Sequence, residues 1–199
     1  MASIQAVLLD ADGVVQLPKP NWRESLERLC GDPDQTEHFL AEIFAAEKPC
    51  LTGSTDFEPA LAAILRRWRS SMPIEDALHI WTQIEPSSEM LGLAKGLRSC
   101  GVAVALATNQ QAHRARFMTE ALSYAGHFDH LLYSCELGHS KPNPEYFSSA
   151  LAKIMLFIDD HEANVSAARQ CGLQAEVFHL SEGVERIHEI LKGYGLSVA

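Results

Sequence analysis

From Ser87 onward, short apolar runs alternate with stretches of helical spacing, and no other feature constrains the fold as much. Val102-Ala103-Val104-Ala105-Leu106-Ala107, Leu131-Leu132-Tyr133, Met155-Leu156-Phe157-Ile158 and Ala175–Phe178 read as strands. Helices are expected over 88–99, ending at Gly101, over about 111–124, 144–153 and 162–171, and from the last strand to about Lys192. Runs that are apolar at every position suit strands buried on both faces. Strands separated by helices imply a parallel sheet with helices on both sides. A further run, Ala6-Val7-Leu8-Leu9, stands well ahead of the others and adds a strand to the same sheet.

Residues 17–86 read as consecutive helices. Asn21-Trp22-Arg23-Glu24 has the form of a capping box, opening a helix that Gly31 can end; Asp34-Gln35-Thr36-Glu37 repeats the pattern for a helix to about Glu47, before Pro49. Thr55 or Asp56 can cap a third helix through Arg69, and a fourth follows Pro73, with Ile74, Ala77, Leu78 and Trp81 at helical spacing. No convincing strand interrupts this block. The expected fold class is therefore α/β: a doubly wound, Rossmann-like parallel-sheet core over 1–16 and 87–199, carrying an inserted α-helical domain over 17–86. One junction is short. A helix ending near Lys153 meets a strand at Met155 almost directly, against the roughly 2–6 residues usual between such elements. Either the helix ends early or a connecting segment is missing, and the second is preferred.

In an open parallel sheet the carboxyl ends of the strands share one edge, and ligands bind there. Asp10 and Asp12 follow the first strand, Thr108 and Asn109 follow 102–107, Ser134 and then Lys141 follow 131–133, and Asp159 and Asp160 follow 155–158. Two aspartates one residue apart at the end of a buried strand repel each other and lose hydration. A hard cation among them removes the difficulty, and clustered carboxylate oxygens suit Mg²⁺. A lysine and a threonine beside that ion suit a phosphoryl group. An aspartate there can attack phosphorus, and a second carboxylate two residues away can protonate the leaving oxygen and later deprotonate water.

Composition excludes more than it assigns. The 199 residues are 47% apolar, enough for one large domain or one domain with a sizeable insertion. No run approaches the ~20 apolar residues of a membrane span, and MASIQAVLLD lacks a signal-peptide pattern, so the expectation is a cytoplasmic protein without membrane association. The net charge of −10, with only Arg66, Arg67 and Arg69 as a basic group, argues against nucleic-acid binding. Cys30, Cys50, Cys100, Cys135 and Cys171 are scattered, without a CxxC, and read as reduced, mostly buried thiols; the nine histidines show no zinc-binding spacing. Oligomeric state is not legible.

Four segments, Leu8-Leu9-Asp10-Ala11-Asp12-Gly13-Val14, Ala107-Thr108-Asn109, Ser134-x3-Gly138-x2-Lys141-Pro142-Asn143-Pro144-x2-Phe147 and Phe157-Ile158-Asp159-Asp160-x3-Asn164, occur in an order that resembles the haloacid dehalogenase-like hydrolase superfamily. The helical block is similar to that family's cap in the first insertion position. The resemblance implies a Mg²⁺-dependent phosphatase acting on a small phosphorylated metabolite through an aspartyl-phosphate. Asp10 would be nucleophile and metal ligand. Asp12 would be the general acid/base, with its carbonyl on the metal. Thr108 and the Asn109 amide would hold phosphoryl oxygens and Lys141 would compensate their charge. Asp160 would ligate Mg²⁺, with Asp159 acting directly or through water, and Gly13 would permit the turn after the nucleophile. Carbon–halogen cleaving members lack an acid at the position of Asp12, so its presence favours phosphate esters. Asn143 stands where Asp is usual, which implies altered supporting hydrogen bonds rather than altered chemistry.

Plainer readings exist for each residue. Asp10 and Asp12 alone fit a solvated turn, Thr108-Asn109 a helix cap, Lys141 a surface lysine and Asp159-Asp160 a pair complementing a helix dipole. His161 is expected at the surface or in a cap, and Trp22, Trp68 and Trp81 in packing. Glu47, Lys48 and Arg23 are possible contacts from the helical block, with no motif behind them. The rival functions are a phosphomutase using the same aspartyl-phosphate, a catalytically idle partner-binding relative, and a signalling receiver domain. The last is disfavoured because the later strands end in Thr108 and Ser134.

Overall fold

The computed structural model of the protein describes residues 4–150 and 155–197. A five-stranded parallel sheet is built from β1 (Ala6–Leu9), β4 (Ala103–Thr108), β5 (His130–Tyr133), β6 (Met155–Asp159) and β7 (Gln174–Val177), in the order β5-β4-β1-β6-β7. Its central strands are apolar up to their carboxyl-terminal residues, Thr108 of β4 and Asp159 of β6, because both faces are covered. Val7 and Leu9, Val104 and Leu106, and Leu156 and Ile158 join one cluster, while Leu8, Ala105, Ala107 and Phe157 join the cluster on the opposite face. This is the two-sided burial that a doubly wound sheet requires.

The first cluster is closed by α5 (Ser88–Ser99), α6 (Ala112–Glu120), α7 (Tyr124–His127) and α11 (Val184–Gly193), through Met90, Leu93, Met118, Tyr124 and Ile187. The second is closed by α8 (Ser134–Leu137), α9 (Pro144–Ala150) and α10 (Glu162–Gln170), through Leu137, Tyr146, Phe147, Val165 and Ala168. Truncating a fully buried aromatic such as Phe157 to Ala would cost about 3–5 kcal/mol. Ser87 starts α5 by accepting the Met90 N–H at 3.2 Å, so the sheet domain's first helix begins where its cap residue stands. The short junction expected before Met155 lies at 151–154, outside the described residues.

Between β1 and α5 the chain forms a second body of helices: α1 (Trp22–Glu27), α2 (Thr36–Glu47), α3 (Phe57–Arg67) and α4 (Ile74–Trp81). They share a core of their own, including Leu26, Phe39, Ile43, Leu61, Ile64 and Trp81, with Trp22 and Trp68 packed against it. Three local expectations are corrected. First, both junctions of this segment are strands: β2 (Gln16–Pro18) pairs antiparallel with β3 (Ile84–Pro86). These three-residue strands are too short to show a period. Second, neither proposed capping box forms. Asn21 is left-handed, at φ 66°, and its side chain makes no cap bond; α1 ends at Glu27, before Gly31. Asp32, rather than Asp34, receives an N–H, that of Asp34, at the 3₁₀ turn leading into α2. Third, only Cys30 and Cys50 among the cysteines are buried, although all five are free thiols.

Candidate active site

Because the strands are parallel, β1, β4 and β6 deliver Asp10, Thr108 and Asp159 to one edge of the sheet. A cavity of about 360 Å³ opens there, bordered by Asp10, Asp12, Thr108, Asn109, Lys141 and Asp160. All the residues proposed from sequence thus meet, with Asp159 buried directly beneath.

Lys141 is the hub. Its Nζ lies 2.9 Å from Asp10 Oδ1 and 2.5 Å from Asp159 Oδ2, and it is 4% exposed. A lysine so deeply buried reads as a surface residue by type alone; the two carboxylates explain its place. Burial opposes its charge, but Asp10 and Asp159 outweigh that and hold its pKa above the ordinary value. Asp159 is further fixed by the His161 N–H at 2.8 Å and by Asn164 Nδ2 at 2.9 and 3.1 Å. Asn164, quoted in the motif without a role, therefore orients the lysine's lower partner. The Asn109 side-chain amide is spent on the Lys141 backbone, donating to the carbonyl and accepting from the N–H, so its backbone N–H is the donor left for a ligand. Asn143 accepts the Glu145 N–H at the entry to α9, a bond an aspartate would make equally well.

Asp10 accepts from the Ala11 N–H at 2.7 Å and from Lys141, both at Oδ1. Among the described residues this leaves Oδ2 as its unengaged oxygen. Burial pushes the Asp10 carboxyl up to about 6; Lys141 pulls it down, and Asp159 adds to the rise. Oxygens of Asp10, Asp159 and Asp160 lie within 4.8 Å of one another. Asp160 Oδ1 is buried without a hydrogen-bond partner, with only the exposed His161 Nε2 at 3.8 Å as an ion-pair contact among the described residues, and burial raises its pKa. Three converging carboxylates with an orphaned oxygen suit a hard divalent cation. Gly13 makes the cluster possible. It sits at φ +81°, and a Cβ there would stand 2.4 Å from Asp160 Oδ2.

Asp12 is held differently. Gln16 Nε2 and Arg114 Nη2 donate to Oδ1 at 2.9 and 2.6 Å, while Gln110 Nε2 and Arg114 Nη1 donate to Oδ2 at 2.8 and 2.9 Å. Burial opposes its charge, but Arg114 and these donors keep the carboxyl below its usual range. Gln16, Gln110 and Arg114 were not found from sequence. Gln110 and Arg114 follow β4 within a few residues of Thr108, and that proximity was the signal available. Of the other candidates, Glu47 accepts from Trp81 Nε1 at 2.9 Å, Arg23 pairs with Glu27 and Glu37 at the surface, and Lys48 is exposed. His161 is exposed and borders the cavity.

The family model of haloacid dehalogenase-like hydrolases matches residues 4–172. The chain belongs to this family. Among solved haloacid dehalogenase-like structures, a HAD family enzyme of Bacteroides thetaiotaomicron, determined with magnesium and inorganic phosphate, superposes with a TM-score of 0.77 at 19% identity, covering 93% of this chain and 99% of that one. A HAD-like family hydrolase of Porphyromonas gingivalis gives 0.76 at 21%, covering 96% and 99%. The bifunctional epoxide hydrolase 2 of Sus scrofa is 24% identical over 204 residues, which are 86% of this chain. This chain spans 36% of that relative's length. Among the described residues no helix is long and apolar enough to cross a membrane.

Proposed function

We propose that this hydrolase is a Mg²⁺-dependent phosphatase that cleaves a small phosphorylated metabolite through an aspartyl-phosphate. The observation that carries the reading is the Lys141 bridge between Asp10 and Asp159, beside the orphaned Asp160 oxygen. It sets one ammonium and three carboxylates around a single point. The neighbouring structure that holds magnesium and phosphate supports the same chemistry. Residues 1–16 and 87–199 act as the catalytic domain, and 17–86 as a cap that limits substrates to small molecules.

Asp10 and Asp160, with the Asp12 carbonyl and with Asp159 beneath them acting directly or through water, would hold Mg²⁺. Bound there, the ion would neutralise phosphoryl oxygens and keep Asp10 ionised. Lys141, the Thr108 hydroxyl and the Asn109 N–H bind and orient the phosphoryl group. Asp10 Oδ2 attacks phosphorus and the bond to the leaving oxygen breaks, while Asp12, in the protonated fraction that Arg114 keeps small, supplies that oxygen's proton. Water then attacks the aspartyl-phosphate, gives its proton to Asp12, and releases phosphate with Asp10 restored. Asp12 also separates this reading from carbon–halogen cleavage, because halide leaves without a proton.

Hydrolysis of p-nitrophenyl phosphate and of a panel of alkyl phosphates, with and without Mg²⁺, tests the reading against an Asp10→Ala variant. Metal-dependent turnover lost in the variant is expected. Absence of turnover on every ester would leave a binding protein, and dependence on a bisphosphorylated sugar would indicate a mutase.

A further inference from the structure

The carboxylate that the reaction needs free to exchange protons is the most tightly held group at the cavity mouth. Asp12 receives four donors, two of them the parallel arms of Arg114. Arg114 stands on the first turn of α6, its side chain 17% exposed, and its Nε is buried without a partner. Part of the guanidinium is thus unspent on Asp12. α6, which carries Arg114, packs against α3 of the helical segment.

We infer that Arg114 is a positioning residue, setting the plane of the Asp12 carboxylate toward the leaving oxygen. A bidentate guanidinium fixes a carboxylate in two directions at once, which a lysine cannot do. Gln16 reinforces the orientation, since it is fully buried and its Oε1 accepts from Tyr124 at 2.8 Å. The inference rests on the phosphatase reading, because it concerns the acid that serves the leaving group.

The consequence is a dependence on the leaving group. An alkoxide needs a proton as it departs, whereas p-nitrophenolate leaves without one. The test is single-turnover release of the alcohol or phenol, which reports the first half-reaction alone. Arg114→Ala should slow release from a simple alkyl phosphate by about 100-fold and from p-nitrophenyl phosphate by less than about 5-fold. Arg114→Lys should fall between. In an Asp12→Asn background, Arg114→Ala should add no further loss on the alkyl ester, because Arg114 acts through Asp12.

Equal losses on both esters, or a loss that persists without Asp12, would overturn the assignment and make Arg114 a structural residue. If Arg114→Ala does not fold, Arg114→Lys carries the same comparison. Wild-type turnover of neither ester would remove the phosphatase reading and this inference together; intact wild-type turnover with equal losses removes only the inference.

Discussion

Asn109 and Lys141 hold each other by two reciprocal hydrogen bonds: Asn109 Nδ2 donates to the Lys141 carbonyl, and the Lys141 N–H donates to Asn109 Oδ1, each at 2.8 Å. Two loops from different strands are thereby joined, and the Lys141 side chain is aimed between its carboxylates. Asn109→Asp keeps the acceptor but loses the donor and sets a charge against a carbonyl. It should destabilise the protein by about 1–3 kcal/mol in urea unfolding. It should also lower kcat about 100-fold with a smaller change in KM.

Lys141→Met should be more damaging. It leaves Asp10 and Asp159 buried, without the ammonium that lies between them. Breaking a buried ion pair from one side costs about 3–5 kcal/mol, so thermal unfolding should shift strongly downward. Mg²⁺ should restore part of that stability by supplying positive charge at Asp10, and scans with and without the ion measure the recovery.

Gly13→Ala meets two obstacles, a φ of +81° and a Cβ 2.4 Å from Asp160 Oδ2. Strain alone costs about 1 kcal/mol or more, and Asp160 must move as well. Calorimetric titration should show weaker Mg²⁺ binding in this variant, while a variant at the distant surface glycine Gly126, where a Cβ meets nothing, should bind as wild type does.

Glu47 makes stability depend on pH. Burial pushes its carboxyl from an ordinary 4.5 up to about 7, with Arg114 pulling down and Asp12 adding to the rise. The folded protein therefore holds this proton more tightly than the unfolded chain does. Stability is lost as pH rises from about 4.5 through about 7, and the full cost is present above that. Glu47→Gln keeps an acceptor for Trp81 without the titration. It should be more stable than wild type by about 1–2 kcal/mol at pH 8, and the gap should close by pH 5. Chemical unfolding at the two pH values checks this.

The sheet was legible because its central strands are apolar at every position, a pattern that only burial on both faces explains. The residues at its carboxyl edge followed from topology, since Asp10, Thr108 and Asp159 each come directly after such a run. The grip on Asp12 was not legible. Gln16, Gln110 and Arg114 are common polar residues with no diagnostic spacing, and they converge only because the turn after β1 faces the first turn of α6. The β2–β3 ribbon was missed for a related reason: three residues do not establish an alternation, and tertiary pairing decides them. The use of the Asn109 side chain to hold Lys141 depends on a loop approach that no local pattern encodes.

The most direct measurement is to mix the protein with Mg²⁺ and p-nitrophenyl phosphate, quench in acid within a turnover, and map the phosphoryl group by mass spectrometry of proteolytic peptides. The account predicts an acid-stable, base-labile phosphoryl group on Asp10, absent from Asp10→Asn and accumulating when Asp12→Asn slows its hydrolysis. Turnover that proceeds with no label on Asp10 in wild type and in Asp12→Asn, or with the label on another residue, would contradict it.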